Sequence, residues 1–260
     1  MPINTLRIAL LHLAPIPGDL ARNRRLVETA VTAAARLGAT WIITPELIVT
    51  GYTFADSIGT EWILPQPDSW MTHMSRLAAQ LRVTLFLSCP EQDRKSGKLY
   101  NSLFVIAADG TILGAHRKIH TLRVGSEAWS TPGTEAIALP VAPFNRIGMM
   151  ICADAYTSVI ARTLQAQGAQ LLISSAAWAP GHHGPNGEWE RCTGDTGLPL
   201  IVCNRTGPDK TLDFRQAETV VTKDGRRLLS LSSARSAIFT IEWDLETQTL
   251  ATQDYHTHFL

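Results

Sequence analysis

The chain has 260 residues, of which 45% are hydrophobic and 18% charged, and its 23 lysines and arginines balance 23 aspartates and glutamates. These values are typical of an ordinary globular protein and exclude a disordered chain, so we expect a single domain over residues 1–260. The balanced charge gives no net field for nucleic acid or an anionic membrane, and no apolar run is long enough to span a bilayer.

The first elements alternate between strand and helix. "LRIALLHLA" is an apolar, β-rich run, and "ATWIITPE" is a second one. The segment between them predicts a helix, because its apolar residues share one helical face: Leu20, Val27, Val31, Ala34 and Leu37. Near-continuous apolar strands joined by a helix indicate parallel pairing in a sheet buried on both faces.

A loop over residues 50–67 leads to the next helix. Asp68 or Ser69 can cap a helix through "SWMTHMSRLAAQL", and "VTLFLSC" follows as a strand. "YNSLFVIAADGTILGAHRK" then predicts a hairpin that turns at Asp109-Gly110.

The second half repeats this order. "NRIGMMIC" predicts a strand, "TSVIARTLQAQG" a helix, "AQLLISSA" a strand, "EWERCTGDTG" a short helix and "PLIVCNRTG" a strand, before a hairpin at Asp224-Gly225. Two similar halves predict an α/β fold, a four-layer αββα sandwich with an internal pseudo-two-fold repeat.

The four cysteines, Cys89, Cys152, Cys192 and Cys203, form no C-x-x-C pair, and the histidines of "GHHG" and "HTH" have no ligand spacing with them. We therefore expect no structural metal. The N-terminal run lacks the basic region of a secretion signal, which predicts a cytoplasmic protein with reduced thiols.

Three polar residues occupy predicted strand ends, where α/β sheets gather functional groups. Glu46 ends "WIITPE", Lys118 ends the strand in "GAHRK", and Cys152 ends "GMMIC". A thiol needs a base to form the attacking thiolate, and Glu46 can take its proton. The ammonium of Lys118 and the backbone N–H of Ala153 can stabilise the negative charge that grows on the attacked group.

Each of these residues also has a simpler interpretation. Cys152 alone is a small buried hydrophobe, since free cysteine is among the most buried residue types. Glu46 after a proline is typical of a solvated loop or helix cap, and Lys118 in a basic run is typical of a surface charge. Spacing alone leaves both interpretations open.

The sequence resembles the nitrilase superfamily of carbon–nitrogen hydrolases over nearly its whole length. The motifs that carry this resemblance are "GATWIITPELIVTGY", "YNSLFVIAADGTILGAHRKIH", "TPG", "IGMMICADA", "GAQLLISSAAW" and "IVCNRTG". The resemblance implies the αββα sandwich, base work by Glu46, oxyanion stabilisation by Lys118 and attack by Cys152 to give a thioester. It also implies a second glutamate that positions the lysine or the substrate, for which Glu127 is the candidate. A homodimer or larger assembly is expected on the same ground, with no metal or organic cofactor.

Departures from the family pattern bear on the substrate. The nitrilase branch usually has Trp and then Glu after the nucleophile, where this chain has Ala153 and Asp154. Many family members that act on carboxylate-bearing amides have an arginine shortly after the cysteine. This chain has Tyr156 in that place. The resemblance therefore favours a neutral amide or carbamoyl compound.

The predicted substrate-binding residues are Tyr52, Trp129, Ala153, Asp154, Tyr156, Trp178 and His182. Core packing remains an alternative for Tyr52 and Trp129, and a surface position for His182. The Gly-rich segment "APGHHGPNGEW" is predicted to lie over the site, and Asn23 and Asn101 are interpreted as cap and turn residues.

The sequence thus predicts a cysteine-dependent amidase that releases ammonia from a small molecule. Two alternatives remain open: a nitrilase that uses the same triad, and a non-catalytic binding or assembly module that keeps the fold.

Overall fold

The computed structural model describes residues 4–122, 125–181 and 183–260. Its strands are β1 (Thr5–His12), β2 (Trp41–Ile43), β3 (Thr84–Gln92), β4 (Leu99–Ile106), β5 (Ile112–Arg117), β6 (Leu139–Val141), β7 (Phe144–Ile151), β8 (Leu171–Ala176), β9 (Leu200–Asn204), β10 (Thr219–Lys223), β11 (Arg226–Leu231), β12 (Ala237–Asp244), β13 (Thr249–Leu250) and β14 (His256–Phe259). Its helices are α1 (Leu20–Arg36), α2 (Ala55–Ile58), α3 (Ser69–Leu81), α4 (Val159–Ala166) and α5 (Glu188–Thr196), with 3₁₀ helices at Gly125–Glu127 and Cys152–Tyr156.

The described strands form two sheets with matching connectivity. In the first sheet, β1, β2 and β3 are parallel, and the antiparallel strands β4 and β5 follow them. In the second, β7, β8 and β9 are parallel, and the antiparallel strands β10 and β11 follow. An antiparallel strand flanks the first strand of each set, β12 beside β1 and β6 beside β7. This correspondence agrees with the predicted internal repeat.

Each sheet has one face on the other sheet and one face on helices. Along β1, Leu6, Ile8 and Leu10 belong to the core cluster that includes strand residues of the second sheet. The alternate residues Ala9 and Leu11 pack with the buried faces of α1 and α3. Helices α4 and α5 cover the second sheet, because their apolar side chains are buried against β7, β10 and β11. The helix, sheet, sheet, helix layering is therefore confirmed.

Most predicted element boundaries agree with the structure. Helix α3 begins at Ser69 with Asp68 as its N-cap, whose side chain accepts a hydrogen bond from Met71 N. One difference is the predicted loop at residues 50–67, which contains the short helix α2. A second is at Cys152, which does not end β7 but begins a 3₁₀ helix. Within the described ranges, no helix is long and apolar enough to cross a membrane.

Candidate active site

Glu46 lies where the strand ends of the two sheets meet. Its backbone N–H donates to the carbonyl of Ala176, just at the end of β8, at 3.2 Å. Leu47, the next residue, adopts the left-handed region with φ 49°, a conformation that costs energy for a branched side chain. The turn directs the carboxyl of Glu46 into the interior, where it is fully buried. The N–H of Ala177 donates to Glu46 Oε2 at 2.9 Å.

Lys118 follows β5 and is also fully buried. Its Nζ donates to Glu46 Oε1 at 2.8 Å and to Glu127 Oε1 at 2.5 Å. The "TPG" segment holds the lysine backbone, since Gly133 N donates to the carbonyl of Lys118 at 2.7 Å. A Cβ at Gly133 would collide with the carbonyl of Arg117, so only glycine permits this approach.

Glu127 lies in the 3₁₀ helix Gly125–Glu127, and its side chain is fully buried. Its Oε2 accepts a hydrogen bond from Leu122 N at 2.9 Å, while its Oε1 faces Lys118. The ammonium therefore lies between two carboxylates. An ammonium has three N–H donors, and the contacts with Glu46 and Glu127 use two of them.

Cys152 begins its 3₁₀ helix with φ 46°, in the left-handed region. A non-glycine residue there is uncommon and is found most often at functional sites, where surrounding contacts enforce it. Cys152 is buried, with 6% of the residue exposed, and it lines a cavity. It lies next to Ala177, whose N–H also contacts Glu46, so the thiol and the Glu46 carboxylate are neighbours.

Burial and neighbouring charges compete in setting the pKa values of Cys152, Glu46 and Lys118. Burial raises the pKa of Cys152 well above the usual value, the charge of Glu46 raises it further, and Lys118 opposes both. Burial likewise raises the pKa of Glu46 against the opposing effect of Lys118. Burial alone would lower the pKa of Lys118, but Glu46 and Glu127 outweigh it and hold that pKa well above the usual value. The resting thiol is therefore protonated, and a base must remove its proton.

The cavity in front of the thiol has a volume of about 270 Å³. This is just below the usual range for small-molecule sites, about 300–1,000 Å³. Its walls are mainly apolar and aromatic, and the lining residues are Tyr52, Leu122, Cys152, Ala153, Tyr156, Ala177, Trp178, Ala179, Pro180, His183, Gly184 and Leu212.

Four of the predicted substrate-binding residues line this cavity: Tyr52, Ala153, Tyr156 and Trp178. The rings of Tyr156 and Trp178 meet edge to face, with centroids 5.1 Å apart. The Gly-rich segment also contributes lining residues, and the indole N–H of Trp178 donates to the carbonyl of His183 at 2.9 Å. His182 lies outside the described residues.

Trp129 and Asp154 are not among the lining residues. The ring of Trp129 packs edge to face on Phe54, with centroids 5.1 Å apart, in a satellite apolar cluster. Asp154 is fully buried, and its carboxylate accepts four hydrogen bonds. Their donors are Ile119 N at 3.0 Å, His120 N at 2.9 Å, Ile151 N at 2.9 Å and His116 Nε2 at 2.7 Å. The structure places Asp154 away from the cavity lining, with both carboxylate oxygens on protein donors, and a contact with substrate stays a prediction.

The sequence interpretation of Asn101 as a cap or turn residue is wrong. Asn101 lies within β4, is fully buried, and its side-chain amide donates to Glu46 Oε1 at 2.7 Å and to Glu127 Oε1 at 3.3 Å. A polar amide in an otherwise apolar strand, "YNSLFVI", was the available signal. The lining residues Leu122 and Leu212 were also missed, since they lie in loops without a pattern.

No group of three or more histidine, cysteine or acidic side chains that could hold a metal occurs among the described residues. The cluster consists of two carboxylates, an ammonium, an amide and a thiol, and among these groups the thiol of Cys152 lies at the cavity wall.

The fold and the site define an α/β protein of the αββα type, with its cluster at the joined strand ends of two sheets. A family model described as "Carbon-nitrogen hydrolase" matches residues 7–251. The chain therefore belongs to the carbon–nitrogen hydrolase family.

Named relatives agree with this assignment. The chain is 26% identical to a probable nitrilase of Schizosaccharomyces pombe over 97% of this chain and 93% of the relative. It is 26% identical to an N-carbamoylputrescine amidase of Solanum lycopersicum over 88% of this chain and 83% of that protein. The crystal structure of Saccharomyces cerevisiae Nit3, a nitrilase-superfamily member, matches with a TM-score of 0.80 at 20% identity, covering 93% of this chain and 91% of that one. At this identity the last match supports the fold alone.

Proposed function

We propose that this protein is an amidase that hydrolyses a small neutral amide or carbamoyl compound through a thioester on Cys152. The observation that carries the proposal is the buried contact of Lys118 with Glu46 and Glu127, beside a thiol that opens into a cavity. Removing a lysine and two glutamates fully from water costs free energy of folding. Their presence together therefore indicates a role beyond stability. Family membership and an amidase relative support the same activity.

In the proposed reaction, Glu46 takes the thiol proton as sulfur bonds to the carbonyl carbon of the substrate. The carbonyl π electrons move to oxygen, and the third N–H of Lys118 with the N–H of Ala153 stabilises that oxyanion. The oxyanion collapses, the C–N bond breaks, and Glu46 returns the proton to the leaving nitrogen, which departs as ammonia. Water then attacks the thioester while Glu46 accepts its proton, the C–S bond breaks, and Glu46 passes that proton to the departing sulfur, which releases the acid and restores the free thiol.

The preference for a neutral substrate rests on the cavity wall. Among the described lining residues there is no lysine, arginine, aspartate or glutamate. A substrate carboxylate would leave water for apolar and aromatic surfaces without a matching cation, which is costly. The small volume limits the acyl group to a few carbon atoms.

The test is ammonia release from four compounds of matched size: butyramide, succinamate, propylurea and butyronitrile. We expect release from butyramide or propylurea, much less from succinamate, which carries a carboxylate in place of the methyl group, and little from butyronitrile. Preferred turnover of butyronitrile would identify a nitrilase instead.

Cys152→Ala should abolish release, with a melting temperature within a few degrees of wild type. Cys89→Ala is the matched control, because Cys89 is buried in β3 and does not line the cavity. Mass spectrometry of the trapped acyl-enzyme should show the mass of the acyl group on Cys152. Ammonia release that survives Cys152→Ala would refute the mechanism, and no acylation or release with any compound would favour a non-catalytic protein.

A further inference from the structure

Asn101 contacts the cluster through both its side chain and its backbone. Its carbonyl accepts a hydrogen bond from Lys118 N at 2.8 Å, and its N–H donates to Ser130 Oγ at 3.1 Å. Its side-chain amide reaches Glu46 and Glu127. One residue of β4 thus touches the lysine and both glutamates of the cluster.

The charge of the cluster gives this amide a definite task. Glu46 and Glu127 carry two negative charges and Lys118 one positive charge, which leaves one excess negative charge in a site without exposure. Glu46 Oε1 is shared by Lys118 and Asn101, at 2.8 Å and 2.7 Å. A neutral donor stabilises a carboxylate without adding a charge that would compete with Lys118.

The carbonyl oxygen of the Asn101 side chain has a different environment from its N–H₂ group. Asn101 Oδ1 is buried and accepts no hydrogen bond from the described residues. A buried polar atom without a partner is unfavourable, and native structures contain few of them. The opposite orientation would direct the amide oxygen at the two carboxylates, so the N–H₂ group faces them and the carbonyl oxygen is left without a partner among the described residues.

We propose that Asn101 is a positioning residue of this site, whose amide holds Glu46 and Glu127 in place around Lys118 and stabilises the ionised form of Glu46 that accepts the thiol proton. The inference rests on the function proposed above. It adds to the cluster a neutral residue that the sequence interpretation assigned to a cap or turn.

The inference has a consequence for the pH dependence of the reaction. The groups that face Glu46 are Lys118, Glu127, Cys152 and Tyr52, with Arg205 exerting a weaker charge effect. None of them changes in an Asn101 variant. Loss of a hydrogen bond to the charged form raises the proton affinity of a carboxylate, so the acid limb of kcat/KM must move to higher pH.

The experiment measures kcat/KM for butyramide against pH in wild type, Asn101→Ala and Asn101→Asp. The acid limb should move up by about one pH unit in Asn101→Ala. It should move further in Asn101→Asp, which replaces the donor by a third carboxylate in nearly the same volume. Asn23→Ala is the control, since Asn23 is also buried and its amide donates to the carbonyls of Ile16 and Val49, away from the site. Its acid limb should match wild type even where its melting temperature falls.

A second readout separates this inference from the proposed function. The rate of alkylation of Cys152 by iodoacetamide, followed by peptide mass spectrometry against pH, depends on thiol deprotonation and needs no amide turnover. The same displacement of its acid limb is expected, and it would support the inference even if wild type released no ammonia. Acid limbs within about 0.3 pH units of wild type in both Asn101 variants would overturn it. Failure of both variants to fold would also overturn it, because Asn101 would then serve the fold.

Discussion

Replacing Asp154 with asparagine is expected to destabilise the protein strongly, although the two side chains have the same shape. The carboxylate of Asp154 accepts hydrogen bonds from Ile119 N and His120 N through Oδ1, and from Ile151 N and His116 Nε2 through Oδ2. Asparagine offers one acceptor oxygen and one N–H₂ group. An N–H₂ group in place of Oδ1 would face the backbone donors of Ile119 and His120. In place of Oδ2 it would face the N–H of Ile151, while His116 can present an acceptor nitrogen in its other tautomer. Either orientation therefore leaves at least one backbone donor without a partner.

The size of the effect follows from the donors left without a partner. Each costs about 1–3 kcal/mol when buried, so one or two of them in Asp154→Asn should lower the free energy of unfolding by about 1–6 kcal/mol. For a chain of this length, that corresponds to a fall in melting temperature of roughly 3–20 °C. The contribution is present at neutral pH, because the hydrogen bond from His116, among others, outweighs burial and lowers the pKa of Asp154 below its usual 3.8. The stabilisation is lost only as the pH falls through that lowered value.

The assay is thermal and urea unfolding at pH 7, followed by circular dichroism. Asp213→Asn is the control, since Asp213 pairs with Arg215 at an exposed position, and its melting temperature should stay near wild type. Asp154 also links Ile151, which precedes Cys152, to Ile119 and His120, which follow Lys118. The kcat for butyramide should therefore fall at least about tenfold at a temperature where the variant is folded. A melting temperature within about 2 °C of wild type would refute the reasoning.

Two further changes test other parts of the structure. His12 is buried, with Nδ1 2.8 Å from the carbonyl of Asn204, and burial lowers its pKa from 6.5 to about 4. The unfolded chain therefore binds a proton that the native one does not, and stability should fall by about 3 kcal/mol as the pH drops from 6.5 to 4. His12→Gln should remove this slope in urea unfolding, and an unchanged slope would contradict the assignment. Tyr156→Ala removes the aromatic contact between Tyr156 and Trp178 in the cavity wall, so KM for butyramide should rise about 2- to 10-fold with little change in kcat. A change confined to kcat would argue against the proposal that Tyr156 contacts the substrate.

The fold was largely predictable because its signals are local. Apolar periodicity, the cap at Asp68 and the turn at Asp109-Gly110 each act within a few residues, and they agree with one another along the chain. The convergence of Glu46, Lys118 and Cys152 was predictable for a related reason. All three follow strands, and the second sheet repeats the connectivity of the first, so their strand ends meet where the sheets join.

The direction of individual side chains was not predictable in the same way. The chain leaves β7 with a left-handed residue at Cys152 and enters a 3₁₀ helix, in which residues three apart share a face. Ala153 and Tyr156 are three apart and both line the cavity, whereas Asp154 lies on another face and turns into the protein. Adjacency to the cysteine could not distinguish these cases without the backbone conformation.

The charge of the cluster also explains why its thiol can be buried. With Glu46, Glu127 and Lys118 ionised and the thiol neutral, the site carries one excess negative charge. In the proposed reaction, transfer of the thiol proton to Glu46 leaves that total unchanged, and attack on a neutral carbonyl moves the charge from sulfur to oxygen. A thiolate formed while both glutamates stay ionised would instead place a second excess negative charge in a buried site, which burial disfavours. The arrangement therefore permits deprotonation of the Cys152 thiol only where Glu46 accepts the proton. A neutral substrate keeps the single excess negative charge of the site, whereas a substrate carboxylate would add another.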